Sequence, residues 1–216
     1  MVRQRRIPIS SAPKIAIIDY GMGNWRSVMG AVERLGHRAT LTRDRTELAT
    51  VDKLILPGVG AFGEAMRNLH ELGLVDLLHR IVREEGKPIL GICLGFQLMA
   101  EESLEFGHHR GLGWINGSVA KLNTATGLPL PHIGWNDLFQ VQESRLLRGV
   151  PEGALFYYVH SFHVACREVG MVTGECGYGD RFVASVEAGN IFGTQFHPEK
   201  SQQWGLRVLR NFLEIR

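Results

Sequence analysis

Over the first hundred residues, short hydrophobic runs alternate with helical stripes. The runs at 14–20, 53–56 and 89–92 contain few polar residues, as expected for strands of a parallel sheet covered on both faces. Between the runs, apolar residues recur every three or four positions, which predicts helices. The first stripe comprises Trp25, Val28, Met29, Val32 and Leu35, and two more follow at 62–69 and 74–82. This order predicts an α/β fold.

Beyond about residue 113 the pattern changes to short β-rich stretches. They lie at 114–122, 154–159, 172–177, 183–187 and 191–196. We therefore expect a mixed, mostly parallel central sheet flanked by helices. A last helix is predicted after Ser201, a plausible N-cap, and its apolar face comprises Trp204, Val208, Leu209 and Phe212.

Length and charge limit the organisation of the chain. With 216 residues, of which 44% are hydrophobic, one core is sufficient, and we predict a single domain at 14–216 after a basic, flexible tail at 1–13. Four basic residues and no acid in the first fourteen positions leave 20 basic and 22 acidic residues elsewhere, a charge of −2. This does not favour a nucleic-acid-binding surface.

The cysteine content and the hydropathy of the chain indicate the compartment to expect. Three cysteines, an odd number without a C-x-x-C pair, do not suggest a disulfide framework and favour a reducing cytoplasm. No stretch approaches the roughly 20 apolar residues of a membrane-spanning helix. The expected setting is therefore cytoplasmic.

Cys93 lies where a hydrophobic run passes through glycine into a helical pattern, in Gly91-Ile-Cys-Leu-Gly95. A thiol at a strand-to-helix turn is expected to be exposed and to face the helix N-terminus, whose partial positive charge favours the thiolate. Taken alone, the motif also fits a small buried cysteine. Other elements are needed to predict a nucleophile.

His197-Pro198-Glu199 is the second element of a predicted active site. Residues two apart on an extended segment point to the same side, and proline disfavours a helix across the pair. Glu199 can then orient the imidazole of His197, as in a nucleophile–base–acid triad. We predict that Cys93, His197 and Glu199 are catalytic; the alternative is a strand-end histidine followed by a solvated glutamate.

A glycine-containing turn, Leu56-Pro-Gly-Val-Gly60, follows another predicted strand. Open α/β sheets bind ligands at the carboxyl ends of their strands. Glycine at this point allows a backbone N–H to point at a developing oxyanion. We predict an oxyanion hole formed by Val59 or Gly60 together with the amide of Leu94; a plain tight turn is the alternative.

The motifs Leu56-Pro-Gly-Val-Gly60 and Gly91-Ile-Cys-Leu-Gly95 are joined by a third, Thr194-Gln-Phe-His-Pro-Glu-Lys200, which contains His197-Pro198-Glu199. Together these three motifs resemble class I, triad-type glutamine amidotransferases. Stretches at 18–24, 131–136 and 157–162 are similar to one branch of that family, the HisH glutaminase subunits of imidazole glycerol phosphate synthase. The likeness runs from about Lys14 to Arg216. It implies the class I glutamine amidotransferase fold, no cofactor, and a HisF-type (β/α)8 synthase subunit as partner in a heterodimer.

The resemblance also implies residue roles. Cys93 would attack the side-chain amide of glutamine, and hydrolysis of the thioester would give glutamate, with ammonia passed to the partner for histidine biosynthesis. The implied substrate-binding residues are Gly58, Gln97, Ser161 and Phe162. The implied interface residues are Asn24, Trp135, Asn136 and Lys200, and a Trp135 buried in the core is the competing interpretation.

The turn at 58–60 is also implied to be a switch. In such proteins its oxyanion donor points away until the synthase ligand binds. We therefore expect the isolated chain to hydrolyse glutamine very slowly, since one donor is worth about 10²–10³ in rate.

Three alternatives remain at this point. Trp114 after Gly111-Leu-Gly113, and His163 after Ser161-Phe162, resemble a HisH-related branch that supplies ammonia to a HisF-like partner for amidination of a nucleotide-linked sugar in surface-polysaccharide synthesis. A cysteine peptidase or γ-glutamyl hydrolase on a related fold is the second, and Gln97 argues against it. A non-enzymatic binding scaffold is the third, and it would be expected to lack a triad member.

Metal binding is not predicted. His160 and His163 lie in a region that reads as strand, where positions three apart face opposite sides. These two histidines and the adjacent pair His108 and His109 are interpreted as surface or interface groups.

Overall fold

The structure is a computed structural model and describes residues 12–123 and 127–215. Of the predicted tail at 1–13, residues 1–11 lie outside this description. Within the described ranges, no helix is both long and apolar enough to cross a membrane.

The helices and strands follow the hydrophobic pattern closely. The helices are α1 (Trp25–Arg34), α2 (Arg45–Thr50), α3 (Phe62–Glu71), α4 (Leu74–His79), α5 (Leu94–Gln97) and α6 (Gln202–Glu214). A π-helical turn, Arg80–Glu84, extends α4, and 3-10 turns span Val169–Met171 and Pro198–Lys200. The strands are β1 (Ile15–Ile18), β2 (Ala39–Thr42), β3 (Lys53–Gly58), β4 (Ile89–Cys93), β5 (Ala100–Ser103), β6 (His109–Arg110), β7 (Ile115–Lys121), β8 (His132–Gln140), β9 (Ala154–His160), β10 (Phe162–Cys166), β11 (Val172–Tyr178), β12 (Asp180–Ala188) and β13 (Ile191–Thr194).

The central sheet has nine strands in the order β2-β1-β3-β4-β13-β12-β11-β8-β9. Strands β2, β1, β3, β4 and β13 pair in parallel, and β12, β11, β8 and β9 continue the sheet with antiparallel pairs. The predicted α/β fold with a mixed sheet is therefore confirmed, but the sheet is not mostly parallel: four pairings between its described strands are parallel and four are antiparallel, because the β-rich segments after residue 131 add antiparallel strands. A second sheet, β10-β7-β5-β6, was not predicted.

Alternating side chains place hydrophobic residues on both faces of the central sheet. In β1, Ile15 and Ile17 belong to the core that contains the apolar sides of α1 and α6. Ala16 and Ile18 belong to the opposite core, which contains α3, α4 and residues of the second sheet. Helices thus cover both faces, and the ends of β3, β4 and β13 lie side by side between the two layers.

Candidate active site

Cys93 occupies a strained turn between β4 and α5. Its backbone angles are φ 52° and ψ −110°, which a non-glycine residue adopts only where the surrounding structure enforces them. The side chain is not exposed as the sequence suggested: Cys93 is only 6% exposed. Cys93 is nevertheless one of the residues that line a cavity.

Two glycines allow this turn to form. A Cβ at Gly95 would overlap the carbonyl oxygen of Leu56, and a Cβ at Gly58 would come within 2.7 Å of the Tyr20 hydroxyl and of Leu94 Cβ. Gly58 pairs with Cys93 across β3 and β4. The glycine of the Leu56–Gly60 motif is therefore required for close packing beside the nucleophile, in addition to any conformational role.

His197 and Glu199 meet, but the geometry differs from the predicted extended segment. His197 is extended, at φ −97° and ψ 95°, whereas Pro198 begins a 3-10 turn that includes Glu199. Proline is tolerated in the first turn of a helix, so it starts this turn instead of preventing it. The turn brings Glu199 Oε1 to 2.9 Å from His197 Nδ1.

Ser201 stabilises this turn through two hydrogen bonds of its hydroxyl group. Its hydroxyl donates to the carbonyl of His197 at 2.6 Å and accepts from the amide of Tyr157 at 2.9 Å. Ser201 precedes α6 as predicted, but its side chain makes no cap hydrogen bond to that helix. The hydroxyl instead ties the His197 segment to β9.

Electrostatics favour a protonated His197. Burial alone would lower its pKa, but the charge on Cys93 and the interactions with Glu199 outweigh burial and raise the pKa to about 10. The His197 and Glu199 side chains are 2% and 1% exposed, so this pairing is shielded from water. An imidazolium at His197 is therefore expected at neutral pH, ready to protonate a leaving group.

A cavity of about 500 Å³ is lined in part by Cys93. It is lined by Val59, Gly60, Cys93, Leu94, Gln97, Glu105, Phe106, Pro131, Val159, His160, Ser161, Phe162 and Lys200. The structure thus brings together the predicted nucleophile, oxyanion segment and substrate-binding residues, except that Gly58 lies behind the cavity wall. A volume of this size suits a small organic ligand.

The oxyanion candidates flank the sulfur. Leu94 is the first residue of α5, so its amide has no acceptor within that helix. Gly60 has φ 104°, a conformation available to glycine, and Val59 is 41% exposed at the cavity rim. The geometry permits two backbone donors beside Cys93, and their assignment remains a prediction.

Three polar residues of this site were assigned no role in the reaction from the sequence. Glu105 is 9% exposed and lines the cavity, with Oε2 accepting from the amide of Phe62 at 2.8 Å. Gln195 is fully buried, and His160 also lines the cavity. Gln195 and His160 lie within the stretches 194–200 and 157–162, but neither stretch distinguishes them from their neighbours, and Glu105 lies outside these motifs.

Gln97 is held at the floor of the cavity. Its Nε2 donates to the carbonyl of Phe162 at 2.7 Å and to Gln195 Oε1 at 3.1 Å. The same Phe162 carbonyl lies 2.9 Å from His160 Nδ1. A backbone group at the predicted substrate wall is therefore fixed by two side chains.

The two histidines behind this wall are neutral and ordered by hydrogen bonds. Because a carbonyl only accepts, His160 Nδ1 carries the proton, and its Nε2 accepts from His132 Nδ1 at 3.2 Å. His132 Nε2 in turn accepts from Asn136 Nδ2 at 3.3 Å. Burial lowers the pKa of His132 to about 4 and that of His160 to about 3. Within the described residues, no group of three or more His, Cys, Asp and Glu side chains is arranged to hold a metal ion.

The predicted interface residues occupy different environments. Trp135 is 45% exposed, so the alternative of a core tryptophan is wrong. Lys200 Nζ lies 5.4 Å from the ring centre of Tyr157, which is paired with Trp135 across β8 and β9. Asn136 points to the other side of β8 and donates to the carbonyl of Gly177, and Asn24 is the partly exposed N-cap residue of α1.

Known proteins resemble this chain along almost its whole length. The family model "Glutamine amidotransferase class-I" matches residues 16–215. The imidazole glycerol phosphate synthase subunit HisH of Aquifex aeolicus is 48% identical over 200 residues, covering 92% of this chain and 95% of that protein. The HisH subunit of Moorella thermoacetica is 49% identical over 201 residues, covering 93% and 94%.

Solved structures agree on the fold. A glutamine amidotransferase crystal structure matches with a TM-score of 0.72 and 24% identity, covering 92% of this chain and 97% of that chain. The structure of PurLQS from Thermotoga maritima matches with a TM-score of 0.72 and 21% identity, covering 94% and 98%. The chain therefore belongs to the class I glutamine amidotransferase family and, within it, to the HisH subunits of imidazole glycerol phosphate synthase.

Proposed function

We propose that this chain is the glutaminase subunit of an imidazole glycerol phosphate synthase, and that it releases ammonia from glutamine at Cys93. The single observation that carries this proposal is the buried Cys93–His197–Glu199 arrangement beside a cavity of about 500 Å³, in a chain of the HisH group. The histidine-pathway relatives favour this acceptor over amidination of a nucleotide-linked sugar.

The reaction begins with the thiolate. Sγ of Cys93 attacks the side-chain carbonyl carbon of glutamine, and the oxyanion that forms is stabilised by the amide of Leu94 and by a donor from Val59 or Gly60. His197 gives its proton to the nitrogen, the C–N bond breaks and ammonia leaves, so that a glutamyl thioester remains. Glu199 keeps the imidazolium oriented and its charge compensated.

Water completes the cycle. His197, now neutral, takes a proton from the attacking water, and the thioester carbon accepts the hydroxyl oxygen. The C–S bond then breaks, glutamate leaves and Cys93 returns as thiolate with a protonated His197. The net reaction converts glutamine and water to glutamate and ammonia.

The polar lining of the cavity suits the amino-acid end of glutamine. The carboxylate of Glu105 can accept from an α-ammonium group, and the amide oxygen of Gln97 can do the same. The main chain at Ser161 and Phe162 forms the adjoining wall of the cavity, and Gly58 supports the site from the side of β3. The arrangement fits a small zwitterion.

The synthase partner is proposed to be a HisF-type (β/α)8 subunit that docks on the exposed apolar face of β8 and β9, here called the hairpin face. It consists of Ile133, Trp135 and Leu155, which are 60%, 45% and 52% exposed. Lys200 links this face to the cavity, since it lines the cavity and lies over Tyr157. A partner seated there would receive ammonia directly. Three free cysteines support a reducing cytoplasm as the location.

Glutamate release tests the proposal. The chain is mixed with a HisF-type subunit, with and without the imidazole-pathway ligand of that subunit, and glutamate is measured enzymatically. We expect little hydrolysis by the chain alone and strong stimulation by partner plus ligand. The alternative acceptor, a nucleotide-linked sugar, would be favoured by a different result. In that case a partner that amidinates nucleotide-linked sugars would stimulate glutamate release equally well, and the imidazole-pathway ligand would have no effect on it.

A further inference from the structure

Gln195 is a buried polar residue next to the nucleophile that the proposed reaction does not use. It follows β13, is 0% exposed, and its backbone amide donates to the carbonyl of Ala184 at 2.8 Å. Its side-chain Nε2 lies 3.7 Å from Cys93 Sγ, within the range of an N–H···S hydrogen bond. Because burying an amide is costly unless both ends are bonded, the partners at its two ends define its role.

The hydrogen bonds determine which end of the Gln195 amide faces the sulfur. The carbonyl of Phe162 only accepts, so the group of Gln97 that contacts it is the NH₂ group. That same NH₂ group lies 3.1 Å from Gln195, which must therefore present its oxygen there. The NH₂ group of Gln195 is consequently directed at Cys93 Sγ.

The two contacts of the sulfur favour different protonation states. The carbonyl of Val159, 3.9 Å from Sγ, can only accept a hydrogen bond from a thiol. The Gln195 NH₂ group donates and therefore interacts best with a thiolate, which is the stronger acceptor. Gln195 is thus the side-chain contact of Cys93, apart from His197, that specifically suits the reactive form.

We propose that Gln195 is a positioning residue that holds the Cys93 thiolate in place and joins it to Gln97 in the substrate cavity. This inference rests on the proposed role of Cys93 as nucleophile. Through one amide, the sulfur and the residue predicted to bind the amino-acid end of glutamine are kept at a fixed separation. When the amino-acid end of glutamine is bound at Gln97, its side-chain carbonyl carbon is thereby placed at the sulfur.

Substitution by methionine tests the proposal, since Gln195→Met keeps the length of the side chain and removes both polar ends. The first readout is alkylation of Cys93 by iodoacetamide at pH 7, followed by peptide mass spectrometry that separates Cys93 from Cys166. This reaction needs the thiolate but no glutamine. We expect alkylation of Cys93 to slow about tenfold, as for loss of a hydrogen bond to a charged group.

The second readout is steady-state glutamine hydrolysis in the complex with the synthase subunit. Gln195→Met should lower kcat about tenfold or more and also raise KM, because Gln97 loses its acceptor. The matched control is Gln142→Met, whose NH₂ group donates to the carbonyls of Gly170 and Val172. The control should alkylate and turn over like the unmodified chain.

Alkylation and kcat at the unmodified level, with only KM or the melting temperature changed, would overturn the proposal, because Gln195 would then act on substrate binding or packing alone. If Gln195→Met does not fold, Gln195→Asn replaces it; the shorter amide draws the donor away from sulfur and should slow alkylation in the same way. Alkylation is independent of the identity of the substrate. An unmodified complex that fails to hydrolyse glutamine would therefore count against the proposed function and leave the alkylation result on Gln195 intact.

Discussion

The Nδ1–Oε1 hydrogen bond of 2.9 Å between His197 and Glu199 allows the charge of a single residue to be tested. Glu199→Gln retains an oxygen that can accept from Nδ1 but removes the negative charge. We expect kcat/KM for glutamine to fall by about 10²–10⁴, the range seen when the orienting acid of a triad is neutralised. Glu71→Gln, at an exposed ion pair on α3, is the control and should have no effect.

The same variant should change the pH profile. The folded-state pKa of His197, about 10, lies above its ordinary value of 6.5, so the imidazolium persists through neutral pH and is lost as pH rises towards 10. The stability that the His197 imidazolium contributes changes with pH in the same direction: it is fully present below about pH 6.5 and is lost as pH rises towards 10. Glu199→Gln should shift the alkaline fall in kcat/KM to lower pH. An unshifted alkaline limb would show that Glu199 does not control the protonation of His197.

The close packing around Gly95 predicts that a single added methyl group will destabilise the chain. Gly95→Ala would place a methyl group on the carbonyl oxygen of Leu56, whereas a Cβ at Gly30, in α1, has nothing within 4 Å. We expect Gly95→Ala to reduce the free energy of unfolding by about 1–3 kcal/mol or more and to displace the Cys93 turn. Gly30→Ala should raise it by about 0.5–1 kcal/mol, since alanine favours helix. Urea denaturation measures both, and equal effects would contradict this account of the turn.

At the scale of elements, the antiparallel strands β8 and β9 are also linked by a side-chain hydrogen bond between His132 and His160. Both histidines are neutral when folded, with pKa values below the ordinary 6.5, whereas the unfolded chain gains protons as pH falls. Their contribution is therefore complete above about pH 6.5 and is lost on acidification towards pH 4 and 3. Each such proton changes stability by about 1.4 kcal/mol per pH unit.

His132→Phe tests this coupling between the strands. Phenylalanine can keep the stacking on Tyr178, whose ring centre lies 4.1 Å from that of His132, but cannot bind a proton. We expect an initial loss of stability, followed by a shallower decline between pH 6.5 and 4, reduced by about one proton. Urea midpoints at several pH values give the slope. An unchanged slope in His132→Phe would contradict this account, because it is the result expected if the two histidines were already charged when folded.

The elements that the sequence predicted are those with continuous or periodic hydrophobic residues. Strands β1, β3 and β4 and helices α1 and α3 were found this way. Strand β2 and helix α2 were not, because β2 has a single buried residue, Thr42, and α2 buries only Leu48. An edge strand and a short surface helix have too few core positions to produce a pattern.

The same limit applies to the site. Cys93, His197 and Glu199 could be proposed as a triad because they occur in short motifs whose chemistry is distinctive, and their catalytic role stays a prediction. The 3-10 turn at Pro198 was not, since proline is compatible with both an extended segment and a first helical turn. Gln195 and Glu105 acquire their importance from residues about a hundred and about forty positions away, Gln97 and Phe62. Only the folded chain brings them together.

At the scale of the whole molecule, the active site and the hairpin face form one continuous region. Trp135 and Tyr157 are cross-strand partners, with ring centres 6.1 Å apart, and Tyr157 in turn contacts Lys200 at the cavity. An exposed tryptophan beside exposed Ile133 and Leu155 is typical of an interface anchor. A partner bound there would lie next to the cavity that Cys93 and Lys200 line.

Trp135→Ala should therefore weaken association with the synthase subunit by roughly 30-fold, corresponding to an interface hot spot of about 2 kcal/mol. Isothermal titration calorimetry measures the change, and alkylation of Cys93 in the isolated chain should stay unchanged because Trp135 does not line the cavity. Val169→Ala, at a residue 79% exposed in the 3-10 turn before β11, is the matched control and should bind normally. Equal affinities for Trp135→Ala and the unmodified chain would place the synthase elsewhere, and ammonia would then have to leave the cavity without passing the hairpin face.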